Sequence, residues 1–137
     1  MRVFIDSSAL VKKYIKEKGT EQIIEELSKA EKVYVSLISL PETFSALNRL
    51  KRDRLITSHH YVQLKQNVLN DFKNFYICQV TAEVIASTLK LLEHHPIKTM
   101  DAIHLASALE IKADLFISAD LKQLKAASKS KIKVLQA

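Results

Sequence analysis

Cysteine is nearly missing: Cys78 is the only one in 137 residues. A lone thiol closes no internal disulfide and builds no cysteine-ligated zinc site, which fits a reducing compartment. Glycine and proline are almost as scarce, at one and two residues, so connections should be short and helices plentiful. No run approaches the roughly 18–20 apolar residues of a membrane span. The N-terminus passes straight into a strand pattern, without the apolar stretch of a leader segment. A soluble, cytoplasmic protein is the expectation. Acids are in deficit, 15 against 21 Lys plus Arg for a net charge of +6. That excess is compatible with a phosphate-bearing partner, although many proteins reach it without one. What is plentiful is apolar side chain, 47% against 26% charged, which excludes wholesale disorder. The length favours one domain over residues 1–137.

The stretch Val3-Phe4-Ile5 is a short, unbroken apolar run that suits a strand covered on both faces. It ends in Asp6, after which Leu10, Val11, Tyr14 and Ile15 share one helical face from Ser8 to about Glu17. Lys18-Gly19 breaks that helix, and Thr20 is expected to cap the next, which carries Ile23, Ile24 and Leu27. Val33–Ser36 reads as the second strand. Ser39, Pro41 and Glu42 form a capping-box pattern for a helix through Phe44, Leu47 and Leu50. Thr57 or Ser58 opens a long helix to about Phe75. The remaining pattern is a strand over Tyr76–Val80, a helix capped by Thr81 and ending before Pro96, and a helix from Met100 to about Ile111 capped by Thr99. Leu115–Ser118 is a strand, Asp120 opens a short helix, and Ile132–Leu135 closes as a strand. Strands alternating with helices imply right-handed crossovers and a parallel sheet.

Four acids stand at strand-to-helix junctions: Asp6, Glu42, Asp101 and Asp120. Singly, each suits the positive end of a helix dipole, worth roughly 0.3–1 kcal/mol. Junctions of one parallel sheet share an edge, however, and ligands of open α/β sheets bind there. Carboxylates gathered in one cleft repel unless protons or a cation neutralise them. Oxygen donors without cysteine or a close-spaced histidine motif favour Mg²⁺ or Mn²⁺ over zinc. Such a site suits hydrolysis of a phosphodiester by metal-activated water. Ser7 and Ser118 adjoin strand ends, where a hydroxyl either orients a carboxylate or caps a turn.

The segment Val3-Phe-Ile-Asp6-Ser-Ser-Ala-Leu-Val11 resembles the opening motif of PIN domains. Val35-Ser-Leu-Ile-Ser-Leu-Pro-Glu42 resembles their second acidic motif, Asp101-Ala-Ile-His-Leu-Ala-Ser-Ala108 the third, and Ala113-Asp-Leu-Phe-Ile-Ser-Ala-Asp120 the fourth. The four stand in the family's order across nearly the whole chain. At this length the chain is most similar to VapC-type toxins of VapBC toxin–antitoxin pairs. The resemblance implies a three-layer α/β/α domain with a central parallel sheet of four to five strands and about seven helices. It also implies a Mg²⁺- or Mn²⁺-dependent ribonuclease, usually a homodimer, held inactive by a VapB-like antitoxin. By motif position, Asp6, Glu42, Asp101 and Asp120 carry over as the catalytic, metal-binding acids. A further acid found after the last motif in some members is missing here, where Leu121-Lys122-Gln123 stands. A glycine often found before the last strand is replaced by Ser128-Lys129-Ser130.

Several other residues have two readings. His104 lies one turn beyond Asp101 between Ile103 and Leu105, as a packed core histidine or as an auxiliary hydrogen-bonding group at the site's edge. His59-His60 and His94-His95 are adjacent pairs that diverge on a helix and chelate poorly. Lys51, Arg52 and Arg54 end the helix that Glu42 begins, where cations complement the dipole. Lys122 and Lys125, near Asp120, either hold an RNA backbone through its phosphates or form a solvated helix face. Asp114 should mark a turn at the opposite sheet edge. Phe44, Leu47, Tyr61 and Leu64 are either core or an exposed apolar surface for a partner. Two other functions compete with hydrolysis. A catalytically silent RNA- or partner-binding module gains nothing from clustered acids. Phosphoryl transfer through Asp6, in the manner of haloacid-dehalogenase-like phosphatases, needs a second Asp where Ser8 stands.

Overall fold

A computed structural model describes all residues, 1–137. The first half runs β1 (Arg2–Ile5), α1 (Ser7–Tyr14), α2 (Thr20–Lys29), β2 (Lys32–Ser36), α3 (Ser39–Arg52) and α4 (Ser58–Phe72). The second runs β3 (Tyr76–Cys78), α5 (Ala82–His94), α6 (Thr99–Glu110), β4 (Leu115–Ser118), α7 (Leu121–Lys129) and β5 (Val134–Gln136). The strands form one sheet in the order β3-β2-β1-β4-β5, with every neighbouring pair parallel. The chain thus winds from β1 out to β3, then returns to the other flank of β1 with β4. That reversal makes the carboxyl ends of β1 and β4 the switch point of the sheet, where a crevice opens.

The seven helices and five parallel strands make three layers, α/β/α. Alternation along the strands decides which side chain meets which layer. Val3, Ile5, Val35, Leu115 and Ile117 pack on Ala9 and Leu10 of α1 and Ile23 of α2. Phe4 and Phe116 turn the other way, stacked with ring centroids 5.7 Å apart, onto the buried faces of α5, α6 and α7. The third cluster centres on Leu47, Leu64 and Val68, with Phe44 and Tyr61 packed against it. Phe44, Leu47, Tyr61 and Leu64 are therefore core between α3 and α4. Cys78 is buried and unpaired with another thiol, and burial pushes it up to about 11. No helix is long and apolar enough to cross a membrane.

Several element ends depart from the sequence pattern. Thr57 and Thr81 cap as expected, accepting from the N–H of His60 at 3.0 Å and of Val84 at 3.2 Å. Thr20 does not: Gly19 holds the cap position at φ +100°. The Thr20 hydroxyl instead donates to the Lys12 carbonyl at 2.6 Å and accepts from Glu17 N–H at 2.9 Å, tying the α1–α2 turn. Thr99 likewise is the first helical residue, after Lys98, which makes no side-chain cap. β3 stops at Cys78 rather than Val80, and β5 starts at Val134 rather than Ile132. With one glycine in the chain, three helices end on basic residues in the left-handed region: Arg54, Lys112 and Lys131, at φ 59°, 53° and 65°. Each closes a Schellman pair of hydrogen bonds, as in Leu55 N–H to Leu50 O and Arg54 N–H to Lys51 O.

Candidate active site

Asp6 leaves β1 at the switch point and caps α1, its Oδ1 accepting from Ala9 N–H at 3.0 Å. Only 1% of the residue is exposed. Ser8 Oγ lies 2.8 Å from both carboxylate oxygens, and Ser118 Oγ donates to Oδ2 at 3.0 Å. Burial pushes the Asp6 carboxyl up to about 6, outweighing the field of His104 and these hydrogen bonds, all of which act downward. Ser118, the last residue of β4, also contacts Gln123 Oε1 at 2.7 Å and accepts from Asp120 N–H at 3.0 Å. Gln123 Nε2 then donates to the Asp101 carbonyl at 3.0 Å. A hydrogen-bonded path thus runs from Asp6 through β4 and α7 to α6.

Glu42 belongs to a second group. Ser39 was expected to form a capping box with it, but the helix cap is Ile38, without a side-chain bond. Both side chains have better partners in the interior. Ser7 Oγ lies 3.1 Å from Ser39 Oγ and 2.8 Å from Glu42 Oε1. His104 Nε2 hydrogen-bonds the same Glu42 oxygen. Burial would lift Glu42, yet the His104 hydrogen bond and charge, with Ser7, hold it below the usual carboxylate range. His104 is 1% exposed, as its apolar neighbours imply, but it faces the acid with Nε2 and leaves the buried Nδ1 without a partner.

Asp101 and Asp120 meet across a cleft of about 420 Å³, lined also by Lys98 and Lys122. Asp120 caps α7 through Gln123 N–H at 2.9 Å. Burial raises the Asp101 carboxyl, and the charges of Asp120 and Glu42 add to that lift against His104 and Lys98. Lys122 therefore sits at the cleft, whereas Lys125, one turn on, is exposed and outside it. The largest cavity, about 840 Å³, shares only Ala119 with this cleft and contains none of the four acids.

The four acids thus collect at one sheet edge in two hydrogen-bonded groups, with Asp101 in the field of Glu42 and Asp120. As they stand, no three Asp, Glu, His or Cys side chains converge on one point where an ion could sit. Their chemistry nevertheless fits a hard divalent cation: oxygen donors, two of them raised by burial, and no lysine or arginine ion-paired to any of the four. His59, His60 and His94 are exposed, and Asp114 lies at the opposite edge, accepting from Arg2 N–H at 2.7 Å. Sequence reasoning missed Ser8, Ser39 and Gln123. For Gln123 a signal existed: it shares the apolar stripe of α7 with Leu124, Ala126 and Ala127, where an amide needs a polar partner.

A model of the PIN domain matches residues 3–129. A search of curated proteins finds no match. Among solved structures, FitAcB from Neisseria gonorrhoeae superposes with a TM-score of 0.76 at 16% identity, over 98% of this chain and 96% of that one. VapC20 from Mycobacterium tuberculosis, described as a sarcin–ricin-loop-cleaving toxin, gives 0.73 at 17% identity, over 98% and 99%. VapBC-1 from nontypeable Haemophilus influenzae gives 0.71 at 14% identity, over 99% and 98%. At these identities the superpositions establish the shared fold.

Proposed function

This chain belongs to the PIN domain family, and on that premise we propose that it is a divalent-metal-dependent endoribonuclease, the toxin of a type II toxin–antitoxin pair. The single observation that carries the proposal is electrostatic. Asp6 and Asp101 are both raised above their ordinary range, and the chain supplies neither with a cationic ion-pair partner. Such an arrangement costs stability unless a cation joins it, which favours a bound divalent ion at the site. Asp6, Glu42, Asp101 and Asp120 would hold Mg²⁺ or Mn²⁺. The bound ion would supply Lewis-acid activation of water and stabilise charge on the phosphoryl oxygens.

The chain's own groups divide the remaining work. Ser8 and Ser118 fix the orientation of Asp6, while Ser7 and His104 hold Glu42 ionised and turned towards the interior of the site. Lys122, on the cleft wall, is placed to neutralise a phosphate of the strand being cut. The similarity to VapC20, a sarcin–ricin-loop-cleaving toxin, supports an RNA substrate, and the similarity to the VapBC-1 and FitAcB structures supports a VapB-like antitoxin. A homodimer, and one domain spanning residues 1–137, are part of the same proposal. The test is a divalent-ion titration of RNA cleavage beside Asp6→Asn: cleavage should require Mg²⁺ or Mn²⁺ and vanish in the variant. Full activity of folded Asp6→Asn would overturn it.

A second reading draws on the hydrogen bonds that already occupy Asp6 and Glu42. It makes the chain a catalytically silent module that binds RNA or a partner. RNA retained in excess chelator, with no cleavage on adding Mn²⁺, would establish that alternative.

A further inference from the structure

The chain has 21 cationic residues but only four arginines, and three of those, Arg49, Arg52 and Arg54, fall within six residues at the end of α3. The fourth, Arg2, is engaged by the protein itself, its Nη1 donating to the Ile111 carbonyl at 2.7 Å on the surface. Everywhere else the protein meets its need for positive charge with lysine. Arginine is the better residue for phosphate because its planar fork donates two parallel hydrogen bonds, where an ammonium offers a point charge. None of the three arginines is ion-paired, and all three are exposed. Asp53 is the only acid among residues 49–54, so this short segment carries half of the chain's net charge of +6. Lys51, in the same segment, is drawn back over the Tyr61 ring, 4.8 Å from its centroid. The arginines have no such internal use.

Their position relative to the acids gives the cluster a direction. Glu42 stands in the first turn of α3, and Arg49 follows seven residues later, close to two full turns. The two therefore share one stripe of the helix, ~10.5 Å apart along its axis. The core face of α3, carrying Thr43 and Leu47, lies to the side of that stripe. Arg52 and Arg54 extend the positive charge to the tip of the α3–α4 hairpin. We infer that the α3 arginines form a phosphate-binding arm, along which an RNA strand leaves the acidic site in contact with Arg49, Arg52 and Arg54. The inference rests on the ribonuclease reading above and adds where the substrate runs. These are positioning residues: they grip the sugar–phosphate backbone remote from the scissile bond and read no sequence.

The test compares wild type with the triple variant Arg49→Gln, Arg52→Gln, Arg54→Gln, using a long RNA and an RNA too short to reach the arm. On the long RNA, KM should rise roughly 10-fold or more, with kcat unchanged. The slope of log affinity against log salt should become shallower by about 2, as for three lost phosphate contacts on a single strand. Cleavage of the short RNA should be equal in both proteins, which also shows that the variant is folded. The triple Arg→Lys variant should recover the salt slope but only part of the KM. Equal KM and equal salt slope for wild type and the Gln variant would overturn the inference while leaving the nuclease assignment standing. If wild type cleaves no RNA with any divalent ion, the nuclease assignment fails, and the arm is judged by RNA binding in chelator. Weaker binding by the Gln variant would then support it, and equal binding would overturn it. Selective capture of a polyglutamate peptide by wild type, with RNA binding unaltered in the variant, would assign the tip to an acidic protein partner and overturn it too.

Discussion

Asp6 concentrates the conflict between fold and function. Its ordinary value is 3.8 and burial lifts it to about 6, so the folded protein binds this proton more tightly than the unfolded chain. Stability from this group is therefore full below about pH 4 and is lost as pH rises towards and through about 6. Each tenfold in proton affinity is worth ~1.4 kcal/mol, so the loss approaches about 3 kcal/mol near neutrality. Asp101 is raised too and acts in the same direction. Thermal unfolding in chelator should accordingly show a lower Tm at pH 7 than at pH 5. Adding Mn²⁺ should raise Tm more at pH 7 than at pH 5. Asp6→Asn should abolish cleavage yet stabilise the metal-free protein at pH 7 by about 1–3 kcal/mol. The amide can still accept from Ala9 N–H and can donate to Ser118 Oγ, whose own hydrogen is free to serve Gln123. Equal melting of variant and wild type at pH 7 in chelator would show that Asp6 carries no electrostatic cost.

At the scale of the elements, helix ends separate what local chemistry decides from what tertiary partners decide. Thr57 and Thr81 cap because nothing nearby competes for their hydroxyls. Thr57→Ala should cost about 1 kcal/mol, read from the urea midpoint at constant m. Ser39 carries the same sequence signal, but its hydroxyl lies inside the fold against Ser7. Ser39→Ala should therefore act through the Ser7–Glu42 group, lowering kcat more than it loosens the helix. The C-termini of α3, α6 and α7 use Arg54, Lys112 and Lys131 where glycine is the usual choice. An L-residue in that region carries a cost of roughly 1–2 kcal/mol. Lys131→Gly should raise stability by about 0.5–1 kcal/mol once glycine's greater unfolded-state entropy is subtracted. The left-handed position before the last strand is Lys131, one residue beyond the Ser128–Ser130 stretch where the sequence pattern placed the missing glycine, and the turn itself is intact.

Across the whole molecule, one stacked pair links core to site. Phe4 packs on Phe116 at the centre of the sheet, and each lies on a strand whose next residues carry Asp6 or Ser118. Phe4→Ala should cost about 3–5 kcal/mol, and should weaken cleavage even at temperatures where the variant remains folded, because Asp6 loses its fixed register. Unchanged kcat in folded Phe4→Ala would show that the site is held by its hydrogen bonds alone. The parallel sheet also explains why the acids gather. In the order β3-β2-β1-β4-β5, the carboxyl ends of β1 and β4 are neighbours although more than a hundred residues separate Asp6 from Ser118.

What the amino-acid sequence determined by itself was the period of every element, the apolar strands that must be covered on two faces, and the four acids at strand-to-helix junctions. Those features depend on side chains a few residues apart, whose spacing is written directly in the chain. Only the tertiary structure decided which acid meets which partner: Ser8 and Ser118 on Asp6, Ser7 and His104 on Glu42, Gln123 between Ser118 and Asp101. Most of these contacts join residues from distant elements, and a hydroxyl or amide takes whichever buried partner folding brings within about 3 Å. The same strand-end Ser-Ser pair reads as two helix-opening residues in one dimension and divides between two different carboxylates in three.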